Sequence, residues 1–166
     1  MTFFPTENRL GLPPIAYTAS TQAVALGTIV RAQDATLGGG EFIYLKGVAN
    51  TLVGSLVTYD PVNATTTLAP NTANLAQPVA VSMSANVANQ YGWYQVEGVA
   101  SIKKTAVKVN PNVAIFLSAT AGRVMPTAAS GKEILSARSV NSATVASTTS
   151  TVNVLLNRPF AQGQTI

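Results

Sequence analysis

Neither cysteine nor histidine occurs in the 166 residues. Their absence closes several mechanisms at once, because a Ser-His-Asp triad, a thiol nucleophile and the usual His/Cys zinc site each need one or both. Disulfide staples are excluded by the same count, which agrees with a reducing compartment. Charge is scarce too: 10% of residues are Asp, Glu, Lys or Arg, against roughly 25% in average usage. No uninterrupted apolar run approaches the roughly 20 residues that span a bilayer, so no membrane partner is expected. The opening MTFFPTENRLGLPP lacks the basic start and the apolar stretch of about 7–15 residues of a signal peptide, and the expectation is maturation in the cytosol. No long segment carries the 3.6-residue periodicity of a helix.

What is present is an ordinary hydrophobic fraction of 47% and a mean hydropathy of +0.28. Ala, Thr, Ser, Asn and Val stand where charge would be. A surface built that way repels its neighbours weakly, which suits a protein working inside an assembly. A small soluble β-domain with a Thr/Asn surface fits the same composition. The length suits one domain with a real core. The net charge is +4, yet the basic residues are scattered, with one cluster at Lys103, Lys104 and Lys108. Nucleic-acid binding asks for a basic stripe, often with aromatics to stack on. Here the aromatics lie elsewhere in the chain, so a nucleic-acid partner is not expected. The three lysines read first as a solvated strand edge guarded against aggregation, and second as contacts for an acidic partner surface.

Residues 1–20, MTFFPTENRLGLPPIAYTAS, read as an extended arm before a single β-rich domain at 21–166. Pro5, Pro13 and Pro14 keep a helix or central strand from running through it. The arm is nevertheless apolar, with Phe3, Phe4, Leu10, Leu12, Ile15 and Tyr17, whereas a disordered tail is usually polar and poor in aromatics. It either folds back over its own domain or lies on another subunit or protein, and the two halves can differ. As a partner-binding element its candidate residues are Phe3, Phe4, Pro5, Leu10, Leu12, Pro13, Pro14, Ile15 and Tyr17.

From Leu26 onward the pattern is β. GTIVRAQ (27–33) is a strand, DATLGGG (34–40) a glycine-rich turn and EFIYLKGV (41–48) the returning strand. LVGSLVTYD (52–60) is a strand, VNATTTLAPNTANLAQ (62–77) a short strand and loop, and PVAVSMS (78–84) an alternating strand. ANVANQ (85–90) is expected to make one helical turn before YGWYQVEGVASI (91–102), whose Trp93, Gln95 and Glu97 should share a face opposite Tyr94, Val96 and Gly98. Two strands flank the turn Ala121-Gly122. KEILSARSV (132–140) and STVNVLLNRPF (150–160) follow, divided by the low-complexity loop SATVASTTS (142–150). Short strands at even spacing predict an all-β fold, a small barrel or sandwich of antiparallel strands with an extended N-terminal arm. EFIYL poses a question of its own, since Phe42 and Tyr44 on one side and Ile43 and Leu45 on the other leave both faces needing cover.

Catalytic candidates are thin. A carboxylate-only glycosidase needs two acids flanking one bond, and Glu7, Asp34, Glu41, Asp60, Glu97 and Glu133 are the available acids. Glu41 and Glu97 are the pair to test. GGGEF lacks the GK[ST] ending of a phosphate loop and leads into a strand, so a hairpin is the better reading. Asp34 and Asp60 could help hold a cation, although no D-x-D-x-D run exists. Tyr91, Trp93 and Tyr94 could make a sugar-stacking platform, but strand aromatics more often pack in the core. No cofactor or metal is expected.

GGGEFIYLKGVANTLVGSLVTYD (38–60) followed by PVAVSMSANVANQYGWYQVEGVA (78–100) resembles the middle of small tailed-bacteriophage head proteins, the decoration or cement proteins that bind the outside of the capsid. The likeness covers roughly residues 25–120 and leaves out the arm and the C-terminal third. It implies a β-rich, non-enzymatic virion protein on the outer capsid surface, assembled in the host cytoplasm and present in many copies. Such proteins clamp neighbouring major capsid proteins after the shell expands, often as homotrimers at threefold positions, while some relatives occupy twofold positions. The alternative is a fibre-base, neck or glycan-binding virion component.

Overall fold

The computed structural model describes residues 4–6 and 11–164, and no helix occurs among them. The strands in chain order are β1 (Phe4–Pro5), β2 (Thr18–Ala19), β3 (Ile29–Asp34), β4 (Gly38–Lys46), β5 (Leu56–Tyr59) and β6 (Thr66–Leu68). They continue with β7 (Val79–Ser82), β8 (Tyr91–Lys103), β9 (Ala114–Leu117), β10 (Val124–Met125), β11 (Glu133–Ser139) and β12 (Thr151–Ala161). They form one antiparallel sheet in the order β1-β3-β4-β8-β12-β11-β9-β10, with β7, β5 and β6 branching from β8 and β2 pairing with its start. The sheet curls into a half-barrel. The all-β expectation holds.

Both faces of EFIYL are covered, by different parts of the chain. Phe42 and Tyr44 pack with Val30, Ala32, Trp93 and Met83, and Ile15 of the N-terminal segment completes that core. Ile43 and Leu45 pack with Val57, Ala64, Ala80, Tyr94 and Val96, so the β5–β7 branch covers the second face. A third core fills the half-barrel, where Ala100 and Ile102 meet Val152, Val154 and Leu156 and face Leu56, Ile115, Leu117 and Ile134. Each fully buried aliphatic side chain contributes about 1.5–3 kcal/mol of transfer free energy. Gly122 helps draw the rim together: its N–H donates to Ala69 at 3.0 Å, and its carbonyl accepts from Leu56 N at 2.9 Å.

β8 carries a bulge that corrects the expected face assignment. Phe42 lies opposite Gln95 and Glu41 opposite Glu97, which leaves Val96 as an extra residue on β8. One inserted residue reverses the side to which the following side chains point. Glu97 therefore shares the side of Glu41 and Ile43 instead of that of Trp93 and Gln95. Gln95, 1% exposed, donates from Nε2 to the carbonyls of Glu97 (3.0 Å) and Val99 (3.1 Å), satisfying acceptors that the bulge displaces.

Two local expectations also change. The glycine run is not the turn: β4 already begins at Gly38, and the tight turn is Ala35–Leu37. Glycine is needed there because β4 and β8 approach closely, and a Cβ on Gly40 would lie 2.7 Å from the Glu97 carbonyl oxygen. Residues 85–90 make no helical turn. Asn86 is tied there by an isolated bridge to Thr51, and Asn89 takes a left-handed backbone (φ 64°). Asn50, Asn74 and Asn112 are left-handed as well, which gives the chain's abundant asparagine a turn-forming use.

Candidate functional site

Beyond the part of the sheet that β5–β7 cover, the outward faces of β3, β4, β8, β12 and β11 form one continuous surface. Ladder register orders it in rows. One row runs Arg31, Glu41, Glu97, Asn157 across four strands. The next runs Val99, Leu155, Arg138. Ser101 stands opposite Asn153, and Lys103 opposite Thr151. Alternation makes this surface, because the intervening residues Ala100, Ile102, Val152, Val154 and Leu156 point into the half-barrel. Its relief is low. A shallow depression of about 350 Å³ lies over Arg31, Gln33, Gly39, Glu41 and Glu97; a second continues from Glu97 to Leu155 and Asn157, and a third from these two to Arg138.

The first row is held by an ion-pair cluster. Arg31 donates from Nε and Nη2 to Oε1 of Glu41, both at 3.0 Å, and Arg158 donates from Nη2 to Oε2 at 2.6 Å. The Glu41 side chain is 8% exposed, whereas those of Arg31 and Arg158 are 71% and 58% exposed. Burial alone would raise the Glu41 carboxyl, but the two guanidinium groups outweigh it and hold the group below the ordinary carboxylate range. In turn Glu41 pushes the Arg158 guanidinium up.

Arg158 reaches Glu41 through a break in the last hairpin. Leu135 pairs with Phe160 and Ala137 with Leu156, so Ser136 alone faces Asn157, Arg158 and Pro159. Ser136 and Arg158 both adopt left-handed backbone, φ 60° and 45°, and Pro159 has no N–H for the ladder. The wide bulge folds Arg158 back over the sheet. Its sequence signal is the proline in STVNVLLNRPF, where strict alternation also fails after Leu156. Arg31, Arg138, Val99 and Leu155 had no such signal, being ordinary strand residues until register aligns them.

The expected site residues fall in several places. Phe3 and Leu10 lie outside the described residues. Phe4, on β1, is 65% exposed, and Tyr17 is 53% exposed. Pro5 pairs with Ala32 of β3, and Pro14 is exposed. Leu12 packs against the Trp93 core, and Ile15 lies within it at 2% exposure. The Pro13 carbonyl accepts the Trp93 indole N–H. Residues 12–15 thus lie on their own domain, and Ile15 offers no surface to a partner because it is a core residue. Of the lysines, Lys108 is exposed and Lys103 half-buried on the outward surface. Lys104 departs from the solvated-edge reading: it is 1% exposed, with Nζ donating to the carbonyls of Thr105 (3.2 Å) and Val107 (2.8 Å). Alternation along β8 turns it inward, next to the bridge with Val124. Burial pushes its ammonium pKa down.

The aromatic platform is not formed. Trp93 and Tyr94 are fully buried on opposite sides of β8, and Tyr91 stacks on Tyr44 at 6.4 Å between ring centres. Asp34 and Asp60 serve turns: Oδ1 of Asp34 accepts from Thr36 N and Leu37 N, and Oδ1 of Asp60 from Val62 N. The Glu41/Glu97 pair does come together across the ladder. Both oxygens of Glu41 accept from arginines and its pKa is lowered, which suits a fixed anion and opposes a proton donor. Among the described residues no group of three or more Asp and Glu gathers as a metal cage would require.

No protein-family model matches the chain, and no curated protein matches it at a significant level.

Proposed function

We propose that the protein is a non-enzymatic structural component of a tailed-phage virion that binds the outer capsid surface and stabilises the shell by bridging major capsid proteins. The observation that carries this reading is the outward sheet surface: five strands wide and shallow, the relief of a contact surface. The resemblance of residues 38–60 and 78–100 to capsid decoration proteins points the same way. The exposed Phe4 and Tyr17 supply further apolar contacts from the N-terminal segment. Five strands about 4.8 Å apart span about 20 Å, and the rows from Glu97 to Lys103 run about 20 Å along β8, so the patch is about 400 Å², half of the roughly 800 Å² per partner of a standard interface. A weak contact of that size holds firmly when several act together, and a homotrimer over a local threefold would supply the effective concentration.

Gradient co-sedimentation with expanded shells of the candidate capsid protein tests the proposal. Saturable binding at a fixed ratio of copies per capsid subunit is expected, near one for trimers over every local threefold. Absence of binding by the folded protein would reject the capsid reading in favour of a fibre-base, neck or glycan-binding role.

A further inference from the structure

We infer that the outward surface recognises carboxylate side chains of an acidic partner protein, with Arg31, Arg138 and Arg158 as its contact residues around an apolar centre of Val99 and Leu155. Naming the capsid protein as that partner rests on the reading above, whereas the recognition chemistry rests on the surface itself.

The chain has five arginines, Arg9, Arg31, Arg123, Arg138 and Arg158, and three of them meet on this one surface. With Lys103 they give four cations against the two acids Glu41 and Glu97. The surplus is positive, so two copies would not pair face to face here without juxtaposing like charges. Arginine is also the side chain suited to the task, because its planar fork matches a carboxylate through two parallel hydrogen bonds. Glu41 orients two of the forks while engaging only Nε and Nη2 of Arg31 and Nη2 of Arg158. The Nη1 edges of both remain for a partner, on side chains that are mostly exposed. The Arg138 side chain has no hydrogen bond or ion pair among the described residues, and the residue stands opposite Leu155 in register. An apolar centre ringed by arginine is the usual anatomy of a protein–protein contact. A phosphate backbone fits less well, since Glu41 and Glu97 sit amid the cations and no aromatic side chain lies in these rows for bases to stack on.

The experiment titrates the ¹⁵N-labelled full chain with a hexaglutamate peptide, and separately with a short single-stranded oligonucleotide of the same charge. With the peptide, the largest shifts are expected at the amides of Val99, Ser101, Leu155 and Asn157 and at the Nε signals of Arg31, Arg138 and Arg158, weakening as salt is raised. Arg138→Gln, which leaves the Glu41 cluster untouched, should remove most of them, and Arg138→Lys should restore them only in part. Shifts centred on Lys46, Lys108 and Lys132 would overturn the inference, as would tighter binding of the oligonucleotide to the same surface. In shell co-sedimentation Arg138→Glu is expected to weaken binding about tenfold or more. Wild-type binding with an unchanged Arg138→Glu variant would sink the inference and leave the capsid reading standing. If the wild type does not bind shells, the capsid reading fails, and the peptide titration alone decides the surface.

Discussion

The indole Nε1 of Trp93 donates a 3.1 Å hydrogen bond to the carbonyl of Pro13, 80 residues earlier in the chain. Beside it Ile15 fills the core formed by Phe42, Tyr44 and Trp93. The later half of the N-terminal segment is therefore part of the fold. Truncating residues 1–20 is expected to cost at least about 2–5 kcal/mol, the range for emptying a buried isoleucine site. Truncating 1–10 should cost much less. Calorimetric melts of the two truncations check this, and a 1–20 deletion melting with the full chain would contradict the packing role. Only the shorter truncation can then report on partner binding by the arm.

The glycines of the β4–β8 crossing should answer oppositely to alanine. At Gly98, φ is 92° and a Cβ would sit 2.3 Å from the Gly39 carbonyl oxygen. Gly98→Ala is expected to destabilise by about 2 kcal/mol or more, combining a left-handed penalty with a backbone clash. Gly39 has ordinary φ and open space around its would-be Cβ. Gly39→Ala should be neutral or stabilising by up to about 1 kcal/mol through the unfolded chain. Urea midpoints of the two variants measure the contrast.

Glu41 sets an acid limit. Its folded pKa lies below the ordinary 4.5, so the folded state holds the proton less tightly than the unfolded state. The stability it contributes is complete above about pH 4.5 and drains away as pH falls through the folded value. In Glu41→Gln that part of the acid slope should vanish, which melting temperatures between pH 3 and 7 would reveal. An identical slope in the variant would remove Glu41 from the account.

Lys104 gives the opposite limb. Its folded pKa is depressed below 10.5 by burial, so between the two values the unfolded chain binds more protons and stability rises with pH. Lys104→Met is expected to flatten that alkaline rise. It should also melt no lower than the parent at pH 7, because removing a buried unpaired charge offsets the two carbonyls left without its donors. A marked loss at pH 7 would mean that the carbonyl contacts dominate.

The strands and their approximate bounds were legible because period-two alternation and turn residues are local signals. So was the demand for cover on both faces of EFIYL. Ladder register was not. Val96 becomes an extra residue only through pairing with β4, and that single insertion moves Glu97 to the other side of the sheet. Lys104 continues a run that ends like any solvated strand, and its burial depends on the half-barrel rim closing past it. Glu41 could be singled out as an acid, but its partner Arg158 lies 117 residues away, brought there by a bulge at which Pro159 and the lapse of alternation after Leu156 only hinted. The opposite orientations of Trp93 and Tyr94 were legible from alternation, and both pack in the core as strand aromatics usually do.

β8 supplies side chains to all three cores: Trp93 to one, Tyr94 and Val96 to the second, Ala100 and Ile102 to the third. Its ladder partners extend from Thr18 to Asn157. During synthesis the first half of β8 can find β4 as soon as it leaves the ribosome, while the second half must wait for β12 at Thr151–Ala161. Until then Ala100 and Ile102 have no strand beside them and the half-barrel lacks a wall. Pairings this distant are slow to form, since loop closure precedes their reward. The nascent chain thus carries the unpaired second half of β8 while residues 104–150 are made, and the Ser/Thr-rich, weakly apolar loop at 142–150 just before β12 adds little to that exposed surface.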